Sequence, residues 1–350
     1  MTHSPVAVTI VTYNSEWYIR PCLESVLALD PAPEEIVVID NLSSDGTRTV
    51  LREFSDWVKV VCNGANTGFA AGQNQAIALT RADWVLTLNP DVILPPDFLG
   101  RLLESGEVGE DMGTLCGKML SLMPDMTLQT PPLLDSTGIY FTPQLRHFDR
   151  GWGEPDNGQY NQREEVFGAS AAAALYRRRM IEAVQVEGNF FDPAFFAYRE
   201  DADVAWRAQL LGWRCEYRPA AHGFHVRQVR PGKRGRNPKL VNMHSVKNRF
   251  LMRAKNITWP VWKQCWASTL ARDATVVAGC LLHEHDSLPA FWHFVKAMPA
   301  ALRQRREIMA RQSDRAAQIV EWFQFPRPET PAAKRKNFPA AVVDPPAHRS

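Results

Sequence analysis

An α/β architecture, with a mostly parallel sheet flanked by helices and a helical C-terminal extension, follows from three features of this 350-residue chain. Short apolar runs alternate with helix-periodic segments across residues 6–92, the pattern of βαβ units. Those runs are continuous rather than alternating, as strands covered on both faces require. Hydrophobic residues make up 45% and charged residues 22%, enough to bury a large core and too ordinary for wholesale disorder.

The elements follow in order. Residues 6–11 read as the first strand, 17–29 as a helix, 35–40 as a strand and 47–54 as a helix. Residues 58–62 then read as strand, 68–79 as helix and 84–88 as strand. Over 94–165 the periodicity weakens and turn residues rise, which predicts loops and short strands around a sheet edge. The small-residue-rich stretch 166–183 is expected to be helical, as is 201–211, which Gly212 ends before a strand at 213–217. The core domain closes near His225. Beyond a basic loop, 227–239, the chain becomes helical and tryptophan-rich, and the proline-rich stretch 326–350 is expected to be a disordered tail. The expected organisation is a main domain over 1–255, with halves at 1–95 and 96–255, followed by a helical extension over 256–325.

Composition excludes several classes of function. Lysine plus arginine number 40 against 38 acidic residues, a net charge of +2, too balanced for a dedicated nucleic-acid binder. The six cysteines are scattered singly with no C-x-x-C pair, which argues against a disulfide scaffold or a zinc knuckle and fits a reducing, cytoplasmic compartment. No basic segment precedes the first apolar run, so it does not read as a secretory signal. The apolar run 274–282 is about half of the ~20 residues a spanning helix needs.

Ligands of parallel sheets collect at the carboxyl ends of the strands. Those ends carry Thr12-Tyr13-Asn14, Asp40-Asn41, Asn63 to Asn66 and Asn89-Pro90-Asp91. Asp40 ends an apolar strand, where a charge needs a partner or a solvent-filled crevice. A base imide or a ribose hydroxyl would supply that partner. Ser43 to Gly46 is also good turn and capping chemistry in its own right. In Asn66-Thr67-Gly68-Phe69-Ala70-Ala71-Gly72-Gln73-Asn74, two glycines permit close approach to a helix N-terminus, suited to phosphate or to tight helix-on-sheet packing. No G-x-G-x-x-G follows a strand and no Walker motif is present, so nicotinamide and P-loop readings lose their support. Tyr198-Arg199-Glu200-Asp201-Ala202-Asp203 places three carboxylates within four positions before a helix. One suits the helix dipole, whereas three repel one another and ask for a base, a metal or a basic substrate group. Asp91 with His225 would hold a divalent cation completed by diphosphate oxygens and water.

In this order the motifs resemble the inverting glycosyltransferases of family 2, with the GT-A fold, and among them the bacterial rhamnosyltransferase-like members that extend cell-surface polysaccharides. The resemblance covers about residues 6–255. It rests on the T-Y-N start, the Asp40-Asn41-x-Ser43-x-Asp45-Gly46-Thr47 turn, the Asn66 to Asn74 segment and Leu88-Asn89-Pro90-Asp91. It continues through Gly168-Ala169-Ser170, Phe191-Asp192-Pro193-x-Phe195-Phe196-x-Tyr198-x-Glu200-Asp201-x-Asp203, Arg207, Gly212-Trp213, Pro219, His225 and Asn248-Arg249.

The resemblance implies a Rossmann-like sheet holding a nucleotide-diphosphate sugar, dTDP-rhamnose or a UDP-sugar. The donor-binding set would be Thr12, Tyr13, Asn14, Asp40, Asn41, Asn66, Gly68, Gly72, Asn74, Asn89 and Asp91. Asp201, with Glu200 beside it, would be the catalytic acid pair, Asp201 acting as general base on an acceptor hydroxyl. Asp91 and His225 would hold Mg2+ or Mn2+. Asn89 stands where many members have the first aspartate of an Asp-x-Asp motif, which bears on metal affinity. Arg227, Arg230, Lys233 and Arg234 would close over the diphosphate, with a plain solvated face as the alternative. The acceptor would be a saccharide or a polyprenyl-linked saccharide. Other readings of the same fold are a nucleotidyltransferase, which lacks here the glycine- and lysine/arginine-rich loop after strand one, and a non-catalytic sugar-binding subunit.

Outside the resemblance, Arg303, Arg305, Arg306, Arg311 and Arg315 follow a tryptophan-rich helix, the composition of an interfacial membrane contact. A helical cap on the catalytic domain or a dimer surface is the alternative, since aromatic residues at helical spacing are usually core.

Overall fold

A computed structural model describes residues 3–104, 108–227 and 239–323. The basic-loop positions Arg230, Lys233 and Arg234, and the expected tail, lie outside the described residues. The first half runs β1 (His3–Thr12), α1 (Glu16–Leu27), β2 (Ala32–Asp40), α2 (Thr47–Glu53), β3 (Lys59–Cys62), α3 (Gly68–Ala78) and β4 (Trp84–Leu88). Each element matches its expected place. Val6, Val8 and Ile10 of β1 and Leu86 and Leu88 of β4 have no exposed surface, as strands covered on both faces demand. α1 buries Ile19, Cys22, Leu23 and Val26, an i, i+3, i+4, i+7 spacing that lines one helical face.

β1 pairs in parallel with β2 on one side and β4 on the other, and β2 pairs in parallel with β3. The chain therefore winds one way from β1 to β3 and then returns across β1 to lay down β4. Such a reversal opens a crevice beyond the carboxyl ends of the two central strands, here Thr12 to Asn14 and Asn89 to Asp91.

The second half contains β5 (Val92–Ile93), α4 (Phe98–Leu103), β6 (Met112–Ser121), β7 (Leu134–Ser136), β8 (Ile139–Phe141), β9 (His147–Asp149), β10 (Glu164–Val166), β11 (Ala173–Arg177), α5 (Arg178–Val184), α6 (Glu200–Leu210) and β12 (Arg214–His225). The main sheet has the order β10-β12-β6-β11-β4-β1-β2-β3, with β5 on β12 and β7 on β6. β6 and β12 are parallel to each other, while β11 runs antiparallel to β4 and β6.

Two expectations are corrected here. The segment 94–165 holds an interior strand, β6, buried at every position but its last. Gly113 and Gly117 had masked it, and both are there for space. A Cβ on Gly117 would lie 2.3 Å from the Ala221 carbonyl oxygen, and one on Gly113 2.5 Å from Met180 Cγ. The expected helix over 166–183 is instead the end of β10, a turn, β11 and the short α5. Alanine favours helix intrinsically, but the run sits between two strands whose ladders absorb its backbone hydrogen bonds. β12 is also longer than expected and reaches His225.

α7 (Lys239–Asn256), α8 (Trp259–Leu282) and α9 (Pro289–Ala310) complete the fold, with a 3-10 segment at Asp314–Phe323. Trp206 of α6, Leu251 and Met252 of α7, Val261 and Cys265 of α8, Ile308 of α9 and Phe323 share one hydrophobic cluster. The helical extension thus packs on the helix that begins at the three carboxylates.

Candidate active site

The loops after β1 and β2 are laced together. Asn14, at a φ of 50°, accepts from the Ser44 N–H at 2.8 Å, and its own N–H donates to Ser43 Oγ at 2.9 Å. The Ser15 N–H donates to Thr47 Oγ1 and the Glu16 N–H to Asp45. The residues expected as turn and cap are therefore inter-loop ties. Asp40 is fully buried and finds its partner inside the protein: Arg48 Nε lies 2.6 Å from Oδ2, which also accepts from the Ser43 N–H. Its Oδ1, and the Thr12 hydroxyl directly across the ladder, are buried oxygens without a hydrogen-bond partner among the described residues. Tyr13 beside them is half exposed.

The Asn66 to Asn74 segment makes the tight helix-on-sheet packing that its two glycines allow. Gly68 has a φ of +82°, and a Cβ there would lie 2.5 Å from the Phe196 carbonyl oxygen. That oxygen accepts from the Ala70 N–H, using a donor at the N-terminus of α3. A Cβ on Gly72 would lie 2.9 Å from Val11 Cγ1, so Gly72 sets the close seat of α3 on the sheet. Asn41 donates to the Gly68 carbonyl and accepts from Asn63 and Thr67. Asn66 accepts from the Gly68 N–H, and Asn74 brackets the Phe191 backbone at 2.6 and 2.9 Å. Each of these donor-binding candidates has an internal task.

The charged side of the crevice is different. β5 pairs Val92 with His225 at the end of β12, which sets His225 Nε2 3.3 Å from Asp91 Oδ1. On the other side of the ring, Nδ1 lies 2.8 Å from Asp135 Oδ2, carried in by β7. Arg227 Nε then pairs with Asp135 at 2.8 Å, and its Nη1 with Asp149 at 2.7 Å. Burial opposes charge on His225, but Asp135 and Asp91 outweigh it and raise its pKa to about 10. Burial likewise opposes charge on Asp135, and Arg227 and His225 together hold it well below the usual carboxylate range. Sequence reasoning missed Asp135 and Asp149. The available signal was a carboxylate next to Leu133-Leu134 in a stretch read as loop.

As an imidazolium His225 turns its Nε2 proton toward Asp91, so a divalent cation fits this donor set only as a shared site that displaces that proton. A ring whose Nδ1 is fixed by a carboxylate presents Nε2 as metal-ligating histidines do, and magnesium is commonly held by one or two protein groups plus substrate phosphate. Among the described residues no group of three or more metal-ligating side chains forms a site of its own.

The three carboxylates of the acidic motif separate. Asp203 is fully buried and spent, meeting Arg207 and Lys255 at 3.0 Å and Asn256 at 2.7 Å. Glu200 is buried, and burial followed by the Asp201 charge pushes its pKa well up. Asp201 is partly exposed and accepts N–H donation from Ala202 at 2.7 Å and Ala171 at 3.4 Å. Burial and then Asp149 raise its pKa to about 6, against those hydrogen bonds and Arg227.

The approach to α6 is strained, with Phe196, Tyr198 and Arg199 at φ of 65°, 71° and 74°. Such backbone needs outside support. Asn248 of α7 supplies it by donating to the carbonyls of Phe195, Ala197 and Tyr198. Arg199 adds contacts to His147 Nδ1 at 2.9 Å and to the Ser245 carbonyl at 3.0 Å.

A family model, glycosyl transferase family 2, matches residues 7–185, ending before α6. N-acetylglucosaminyl-diphospho-decaprenol L-rhamnosyltransferase of Mycobacterium tuberculosis is 28% identical over 248 residues, 65% of this chain and 77% of that protein. Rhamnosyltransferase WbbL of Escherichia coli is 26% identical, over 63% of this chain and 83% of its own. Succinoglycan biosynthesis protein ExoO of Rhizobium meliloti is 24% identical over 64% of this chain, and the match spans 61% of that relative's length. Among solved structures, S. aureus TarS 1–349 in complex with UDP-GlcNAc has a TM-score of 0.53 at 17% identity, covering 92% of this chain and 91% of that one. GalNAc-T7 with UDP, GalNAc and Mn2+ has a TM-score of 0.54 at 12% identity, covering 71% and 47%. At these identities the likeness is one of fold.

Proposed function

We propose a reaction for a chain that belongs to glycosyl transferase family 2: transfer of a sugar, L-rhamnose in our reading, from a nucleotide-diphosphate sugar to a saccharide or polyprenyl-linked acceptor, with inversion. The names of the M. tuberculosis and E. coli relatives support rhamnose as the sugar, and the donor in this reading is dTDP-rhamnose or a UDP-sugar. Residues 1–255 carry the catalysis in this reading, and 256–325 the helical extension. The chain works in the cytoplasm, peripheral to the inner face of the membrane, in cell-surface polysaccharide synthesis.

The observation that carries the reading is the contrast within the acidic motif. Asp201 alone is partly exposed, charged at neutral pH and free of any ion pair among the described contacts. As a general base it takes the acceptor hydroxyl proton on Oδ while that oxygen bonds to the anomeric carbon. The bond from the anomeric carbon to the diphosphate oxygen breaks on the opposite face, and the electron pair leaves with the nucleoside diphosphate. The Ala171 and Ala202 N–H groups orient the carboxylate without neutralising it. Asp91 and His225 would hold Mg2+ or Mn2+, which when bound neutralises charge on the diphosphate. Thr12 Oγ1 and Asp40 Oδ1, both without partners, would accept the base imide N–H.

The test pairs binding with transfer. Donor nucleotides should raise the melting temperature of both wild type and Asp201→Asn, and only the wild type should transfer sugar. Unchanged transfer by Asp201→Asn removes the assignment, and no stabilisation by any dTDP or UDP compound removes the donor site.

A further inference from the structure

α8 turns an unusual face to water. Its inward side is buried at Val261, Cys265, Thr269, Val276 and Cys280. On the outside, Trp259, Trp266, Leu270, Val277 and Leu281 are 71, 51, 49, 36 and 55% exposed. Their spacing of 7, 4, 7 and 4 residues keeps them within about 40° of one line at ~100° per residue. Surface helices normally point their charges that way. Here Lys263 is the only charged residue at an exposed α8 position, and no acid is exposed on the helix. The other two charges of α8, Arg272 and Asp273, are half-buried, and Asp273 is taken by Arg249 and Arg253 of α7. The next helix repeats the composition, with Trp292 and Val295 60 and 58% exposed and Lys296 Nζ 5.0 Å from the Trp292 ring centre. The expectation that these tryptophans are core is thus corrected for Trp259, Trp266 and Trp292, though not for the half-buried Trp262 and Trp322.

We propose that α8 lies flat on an anionic bilayer surface, with its Trp259 to Leu281 face in the headgroup region and Lys263 against lipid phosphates. Tryptophan partitions to the bilayer–water interface, and a basic residue among apolar ones favours anionic lipid. No helix among the described residues is long and apolar enough to cross a membrane, so α8 rests on the surface. A second copy of the chain fits less well. A two-fold pairing sets this face against itself, and the face offers no exposed acid to meet Lys263. The proposal deepens the function proposed above by stating where a lipid-linked acceptor is met, and it rests on that reading only for its purpose.

Flotation of the full chain with phosphatidylglycerol vesicles and with phosphatidylcholine vesicles tests it. Wild type should float with the anionic vesicles, and a Trp266→Glu/Leu270→Glu double variant about tenfold less. Trp57→Glu, at a tryptophan 61% exposed elsewhere, should float like wild type. Wild type that stays unbound, equal flotation on both lipids, or a double variant that floats like wild type overturns the proposal. So does a wild-type dimer that the double variant breaks without any flotation, which gives the face to a second copy. Transfer to a water-soluble acceptor, measured on the same samples, keeps the two readings apart. The double variant should retain it, and flotation without transfer in wild type sinks the catalytic reading while leaving the membrane contact standing.

Discussion

The donor-side frame and the charged rim of the crevice use polar residues in opposite ways. In the frame, Asn14, Asn41 and Asn74 each hold a backbone group of another segment and Asn66 holds one of its own turn, and Gly68 and Gly72 leave room for chain to pass close by. At the rim, Asp91, Asp135, Asp149, His225 and Arg227 form a chain of charges with a partly exposed carboxylate, Asp201, near its end. In the function proposed above, the frame sets shape and the rim sets chemistry. The two acids Asp201 and Asp203 carry this division across two residues of one helix.

If that division holds, frame and rim substitutions fail differently. The largest expected effect is at Lys255, whose Nζ reaches Asp192 at 2.7 Å and Asp203 at 3.0 Å with no exposure. Lys255→Ala leaves buried Asp192 without its cation and Asp203 with Arg207 alone, and should cost about 3–5 kcal/mol in denaturant unfolding. A loss within surface-mutation range would mean the cluster is not structural. Next is Gly68→Ala, which adds a Cβ at positive φ against the Phe196 carbonyl. It should cost about 2–4 kcal/mol and move Phe196, seen as lower melting temperature with the pH profile of transfer unchanged. Asn41→Ala strands the hydrogen-bonding groups of Thr67 and Asn63 and should cost about 1–3 kcal/mol, again without altering that profile.

The smallest effect sharpens the rim side. Asp201 titrates at about 6 and acts as a base only when deprotonated, so transfer should be flat above that pH. Below it, the rate should fall roughly tenfold per pH unit. The stability sign is opposite to that of a salt-bridged acid. Because folding raises this pKa, Asp201 costs stability as pH rises from its ordinary value of 3.8 through about 6, and Asp201→Asn should recover that part. An acid limb that survives Asp201→Asn would place the titrating group elsewhere.

The parallel half of the fold was legible because its strands are apolar and its helices amphipathic over many residues. The second half was not, because Gly113 and Gly117 interrupt the apolar run of β6 and an alanine-rich stretch, 169–174, leads into β11, small residues suited to what lies against them. Site residues divide in the same way. Asp91 and His225 announce themselves at the ends of strand-like runs, and Asp201 as one of three carboxylates crowded before a helix. Asp135 and Asp149 come from short strands whose place depends on pairings that no local pattern encodes. Asn41 and Asn74 look like ligand contacts in sequence because an amide that binds backbone and one that binds substrate have the same chemistry.

The clamp on α6 also bears on how such a chain is divided and recombined. Asn248, Lys255 and Asn256 hold the backbone before the candidate base and neutralise the acid behind it. Val261, Cys265, Ile308 and Phe323 then share a core with Trp206. A cut at 255 would keep Asn248 and Lys255 but remove Asn256 and the side chains that cover Trp206, so a chimera keeping 1–255 with a foreign tail would keep the counter-charge of Asp203 on a helix stripped of the core behind it. The exchangeable module reaches through α7 and carries its anchoring cluster with it.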